Sequence, residues 1–146
     1  MGTYTELNCA FSLYKDTPQH IVDTLRYMTG QSATEPDKLP SHPLFGDTGW
    51  NGMLRGSSSY FDGDTHSTVR LDETDGKYHV TIRCNFKNYD GEIENFMNWI
   101  TPHIQALPGD FIGYTRSDLT EVPTLLYYPR RSFTPQVPEE ILGELA

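Results

Sequence analysis

The stretch STVRLDETDGKYHVTIRCNF, residues 67–86, constrains the fold of this chain more than any other. Two runs alternate in character on either side of Thr74-Asp75-Gly76. In the second run Tyr78, Val80, Ile82, Cys84 and Phe86 fall on one side, while His79, Thr81, Arg83, Asn85 and Lys87 fall on the other. In the first, Val69 and Leu71 match the apolar set and Arg70 and Asp72 the polar one. Strict period-two patterning belongs to strands buried on one face only, and Asp-Gly is a strong tight-turn pair. A β-hairpin with one face in a core and one outside it is therefore expected.

Other segments repeat the logic. Residues 4–14, YTELNCAFSLY, set Leu7, Cys9, Phe11 and Leu13 against Glu6, Asn8 and Ser12, which predicts a second half-buried strand. A helix follows, starting at Asp16 or Thr17 with Pro18 just inside, striped by Ile21, Val22, Leu25 and Met28 and stopped at Gly30. Residues 31–59 form a long connection in which TGWNGML suggests a short helix and in which Phe45 and Trp50 read as pins to the core. After the hairpin, NYDGEIENFMNWITPHIQAL predicts a helix capped by Asp90, with Glu92 and Glu94 at its positive end, Ile93, Phe96, Met97, Ile100 and Ile104 as its buried stripe, and Pro102 ending its regular part. Strands are expected over Phe111 to Arg116 and Thr124 to Tyr128.

The order strand, helix, loop, strand, strand, helix, strand, strand predicts an α+β fold: a two-layer sandwich of about five mostly antiparallel strands with two helices on one face, ferredoxin-like with additions. A single domain over residues 1–129 with a loop insertion at 31–59 is expected, followed by a proline-containing tail at 130–146.

Charge excludes more than it proposes. Eleven Lys and Arg against twenty Asp and Glu leave a net charge of -9, which repels a phosphate backbone, so no nucleic-acid polymer is expected as a partner. Cys9 and Cys84 lie within alternating apolar runs without a C-x-x-C spacing, as buried free thiols of a reducing compartment would. The start of the chain lacks a basic segment followed by an apolar block, and no stretch reaches bilayer-spanning length. A cytoplasmic protein without membrane association is the expectation.

Candidate sites follow from the strand pattern. With both helices on one side, the polar residues of three strands share the other face, where Arg70 and Arg83 could offer forked donors to a phosphate or carboxylate, Asn8 and Asn85 could orient it, and Lys87 could add charge. A solvated sheet face alternates in the same way. Five of the eleven basic residues nevertheless lie between Arg55 and Lys87. Trp50 and Tyr60 are the aromatic loop residues that could complete a ligand site. Asp62, Asp64 and His66, at alternate positions, could hold a divalent cation, although Asp-Gly-Asp is also ordinary turn chemistry. There is no G-x-S-x-G, no G-x-x-x-x-G-K and no G-x-G-x-x-G, so neither a catalytic residue nor a cofactor is assigned.

MLRGSSSYFDGDTHSTVRLDE and YHVTIRCNFKNYDGEIENFMNWITPHI, spanning residues 53–104, resemble a family of small uncharacterised bacterial and phage proteins. That family shares an S-S-Y-Y-F-like segment, here Ser58, Ser59, Tyr60 and Phe61 with one aromatic fewer, an N-x-K-N-Y-x-x-E-I-E segment, here including Asn85, Lys87, Asn88, Tyr89, Glu92 and Glu94, and W-I-x-P. The resemblance implies a microbial or mobile-element accessory protein and brings no activity with it.

The leading functional expectation is a non-enzymatic binding module that captures a small polar or phosphorylated ligand, as a sponge of a signal nucleotide would. One alternative is an acidic inhibitor of a partner protein, of the immunity or counter-defence kind. The other is a metal-dependent hydrolase built on Asp62, Asp64 and His66. A homodimer through the exposed sheet is an assembly that such sandwiches form.

Overall fold

Leu7, Cys9, Phe11 and Leu13 of the first strand, β1 (Tyr4–Leu13), are all buried, as are Val80, Ile82, Cys84 and Phe86 of β3 (Lys77–Lys87). The computed structural model describes residues 3–55 and 65–128. Every strand pairing in it is antiparallel, in the order β2-β3-β1-β4-β5, where β2 is Thr68–Asp72, β4 Phe111–Ser117 and β5 Thr124–Tyr127. Helix α1 (Gln19–Thr29) connects β1 to β2, and α2 (Glu92–Ile100) connects β3 to β4. Each helix thus bridges two strands separated by one intervening strand. The first four strands form a ferredoxin-like split βαβ arrangement, and β5 is an added edge.

Both helices cover the same face. Ile21, Val22, Leu25 and Met28 of α1 and Ile93, Phe96, Met97, Trp99 and Ile100 of α2 join the buried strand residues in one apolar cluster. Each fully buried Leu, Ile, Met or Phe side chain contributes roughly 1.5–3 kcal/mol, so this layer carries the fold without disulfide or metal. Gly30 ends α1 in the left-handed region at φ 85°, its N–H donating to Tyr27 O. Pro18 is the capping residue of α1, one step outside the helix. Asp90 does not cap α2. Gly91 takes that position at φ 86°, and the Asp90 N–H instead donates to Glu92 Oε2 at 2.9 Å, so the glycine's conformational freedom overrides the side-chain cap.

The long connection packs on the helix layer through two 3₁₀ turns, Pro43–Gly46 and Trp50–Gly52. Phe45 meets Trp50 edge-on at 4.9 Å and Trp99 at 5.4 Å, and Trp50 lies 6.0 Å from Tyr27. These rings fasten the loop to α1 and α2. Pro102 closes α2 into a further 3₁₀ turn, Thr101–His103.

On the other side of the sheet the register sets which polar groups meet. Asn8 stands opposite Arg83 on β3 and Tyr114 on β4; Glu6 stands opposite Asn85 and Arg116; Ser12 stands opposite His79, which in turn faces Arg70. Close approach of β1 and β4 depends on Gly113, opposite Cys9, where a Cβ would come within 2.1 Å of Asn8 O and 2.6 Å of Cys9 Cα.

Candidate functional site

Glu6 belongs to the outward set of β1, where alternation alone would leave a carboxylate in water, yet it is 1% exposed. Two guanidinium groups account for this. Arg116 Nε donates to Glu6 Oε2 at 2.8 Å and its Nη2 lies 2.7 Å from the same oxygen. From the other neighbouring strand, Arg83 Nη2 comes within 3.6 Å of Oε1. The arginine side chains are 42% and 37% exposed against 2% for the carboxylate, so a dry anion lies beneath two half-wet cations. A buried carboxylate lacking such partners would cost several kcal/mol.

Around this centre the face is polar. Asn8, between Arg83 and Tyr114, has a buried Nδ2 with no acceptor among the described residues. Asn85 is half-buried beside Glu6, whereas Lys87 and Arg70 are exposed towards opposite ends of the sheet. His66 also reaches this face: its N–H donates to Arg83 O at 2.9 Å and its C=O accepts from Arg83 N–H at 3.1 Å, which extends the β2–β3 ladder. Asn8, Arg70, Arg83, Asn85 and Lys87 share this face, as their alternation predicts, but Arg70 and Lys87 lie at its two ends, away from the Glu6 centre. Trp50 is not, because its ring packs on the helix layer beyond the sheet. Tyr60, Asp62 and Asp64 lie outside the described residues.

At the hairpin end of the same face a different Asp–Asp–His set forms. Asp72 Oδ1 accepts from Thr74 N–H at 2.9 Å and Asp75 Oδ1 from Lys77 N–H at 2.8 Å, which turns both Oδ2 atoms towards His79. His79 Nε2 lies 3.2 Å from Asp75 Oδ2 and 3.5 Å from Asp72 Oδ2. The Lys77 amide, foremost, and His79 hold the Asp75 carboxyl below the usual carboxylate range. Behind the ring, His79 Nδ1 is 2.9 Å from Ser12 Oγ.

Neither cysteine is poised as a nucleophile. Burial pushes the Cys9 thiol up to about 12 and the Cys84 thiol well above its ordinary value, so neither supplies thiolate near neutral pH. Two surface clefts of about 380 and 440 Å³ lie away from the polar face, one lined by Tyr14, Thr17 and His103, the other by Asp23, Arg26 and Glu35.

Arg116 and Glu6 were outside the candidate residues read from the strand pattern. Their pairing depends on β4 lying next to β1, 110 positions apart in sequence, which no local signal encodes. The hairpin cluster did leave a trace, an Asp-x-x-Asp-x-x-x-His spacing around a tight turn. No protein-family model, curated protein or solved structure matches this chain.

Proposed function

We infer that the sheet face opposite the helices binds a small anionic or polar ligand, with Arg83 and Arg116 as its charged donors. The observation that carries this reading is the convergence of two half-exposed guanidinium groups on the single buried carboxylate of Glu6. Glu6 fixes the spacing and orientation of the two forks, and a forked donor held in place loses little side-chain freedom when it meets a phosphate or carboxylate. The unmatched Asn8 Nδ2 adds a neutral donor beside them. Phosphorylated small molecules fit this chemistry better than a nucleic-acid polymer, which the net charge of -9 repels. With both cysteines free and buried, a role as a cytoplasmic sponge for a signal nucleotide accords with these features.

The test is a thermal-shift panel of inorganic phosphate, pyrophosphate and linear and cyclic nucleotides, with the nucleotide recovered and weighed by mass spectrometry. At least one phosphorylated compound should raise the Tm and come back intact, and Arg83→Gln should abolish the shift. Arg83 is the better probe because removing Arg116 would strand the Glu6 carboxylate. A silent panel, or a shift that survives in Arg83→Gln with native circular dichroism, defeats the reading.

A second reading, capture of a partner protein, draws on the exposed apolar side chains at both ends of the β4–β5 hairpin: Leu107 and Phe111 at one, Leu119 and Val122 at the other, 56–76% exposed. It would show as one stoichiometric host protein retained in a pull-down and released by Phe111→Ser.

A further inference from the structure

We propose that Asp72, Asp75 and His79 form a binding site for a divalent transition cation, Zn²⁺ or a close relative, at the tip of the β2–β3 hairpin, separate from the Arg83–Arg116 pair. All three ligand atoms lie within 4.8 Å of one another. The separations of 3.2 and 3.5 Å between His79 Nε2 and the two carboxylate oxygens bracket the edge of a tetrahedron with bonds of about 2.0–2.1 Å, roughly 3.3–3.4 Å.

Hydrogen bonding alone leaves this arrangement incomplete. Two carboxylate oxygens converge on one ring nitrogen, which carries at most one proton and can satisfy only one of them. A cation between the three atoms serves all of them and offsets the two negative charges. Arg70, whose Nη1 is 3.9 Å from Asp72 Oδ2, is 64% exposed and can swing clear.

The second carboxylate oxygens are already tied to backbone amides, so both aspartates are oriented before any ion arrives. Ser12 provides a contact from outside the cluster. Its Oγ, 2.9 Å from Nδ1, is placed to accept Nδ1–H when Nε2 gives its lone pair to an ion, as the outer partner of a metal-bound histidine does. An imidazole among the ligands disfavours Ca²⁺ and Mg²⁺, which prefer all-oxygen shells, and suits Zn²⁺, Co²⁺ or Ni²⁺.

Calorimetric titration of the EDTA-treated full chain with Zn²⁺ near pH 7.5, followed by Co²⁺ absorption spectra, tests the site. One equivalent should bind saturably, with Co²⁺ bands of a nitrogen and oxygen donor set. Asp75→Asn keeps the Lys77 contact through its amide oxygen while removing the charge, and it should lose saturable binding, as should His79→Gln, both with unchanged circular dichroism. Ser12→Ala should weaken the Kd by ~10-fold or more. No saturable binding, or binding that persists in both Asp75→Asn and His79→Gln, overturns the site; unchanged affinity in Ser12→Ala removes Ser12 from it. The nucleotide panel on Arg83→Gln is unaffected by either result.

Discussion

Gly113 shows at the scale of one residue how the sheet's centre is built. Its missing Cβ lets β4 lie against β1 where Asn8 O would otherwise be 2.1 Å away. The obstructing atoms are backbone, which cannot rotate aside. Gly113→Ala should therefore cost about 3 kcal/mol or more, at the upper end of overpacking penalties, and lower the Tm by roughly 10 °C in a scanning calorimeter. A Tm within about 2 °C of the parent would show that the two strands part easily. The same pairing places Arg116 over Glu6, three register positions further along β1, so the variant should also weaken any ligand held by the arginines. Glu6 teaches a complementary lesson: a residue can lie in the outward set of a strand and still be dry, because burial follows what covers a side chain as well as which way it points.

At the scale of elements, two histidines in connecting segments make the stability of those segments sensitive to pH. His42 Nδ1 accepts the Leu44 N–H at 3.0 Å at the start of the Pro43–Gly46 turn. Burial lowers its pKa from 6.5, against a partial offset from Asp47. His103, in the turn after α2, is lowered by burial and then by His20. Both are groups whose folded pKa lies below the unfolded one. As pH falls through about 6.5, the unfolded chain binds protons first, so stability is full above that value, is lost below it, and levels off beneath the folded pKa values. Thermal melts from pH 7.5 to 5.5 should show a falling Tm, and His42→Asn, which retains an acceptor for Leu44 but does not titrate, should flatten part of the fall. An unchanged slope would mean that His42 is protonated without cost in the fold. Asp75 acts in a separate window: its depressed pKa supplies stability above 3.8 that is lost only as pH falls through the lower folded value.

For the whole molecule, the single apolar cluster spanning both helices and the inner faces of β1 and β3 implies that its centre opens only when the layers separate. Cys84 is 0% exposed and Cys9 5%, with thiol pKa values raised by burial. A chromogenic disulfide reagent at pH 8 should leave both thiols unmodified in the native protein and titrate both in guanidinium, with modification under native conditions tracking global unfolding. Rapid modification of either thiol in the native state would reveal a local opening between sheet and helices. Among the described residues no helix is long and apolar enough to cross a membrane, in keeping with helices that present one apolar stripe to a sheet.

Most of the fold was legible in the sequence because its signals are local. Period two marked β1, β2 and β3, with Asp75-Gly76 at the turn between β2 and β3; period 3.6 marked α1 and α2, and Gly30 and Pro102 marked their ends. The order of those elements determined the two-layer class, and alternation determined that Asn8, Arg70, Arg83, Asn85 and Lys87 would share a face. Only tertiary structure decided which strands are neighbours, and hence that Arg116 reaches Glu6, that Trp50 packs behind the sheet, and that Asp72, Asp75 and His79 meet. Alternation assigns a side chain to a face by geometry internal to its own strand; a charge pair or ligand set needs the register between segments, which long-range packing alone determines.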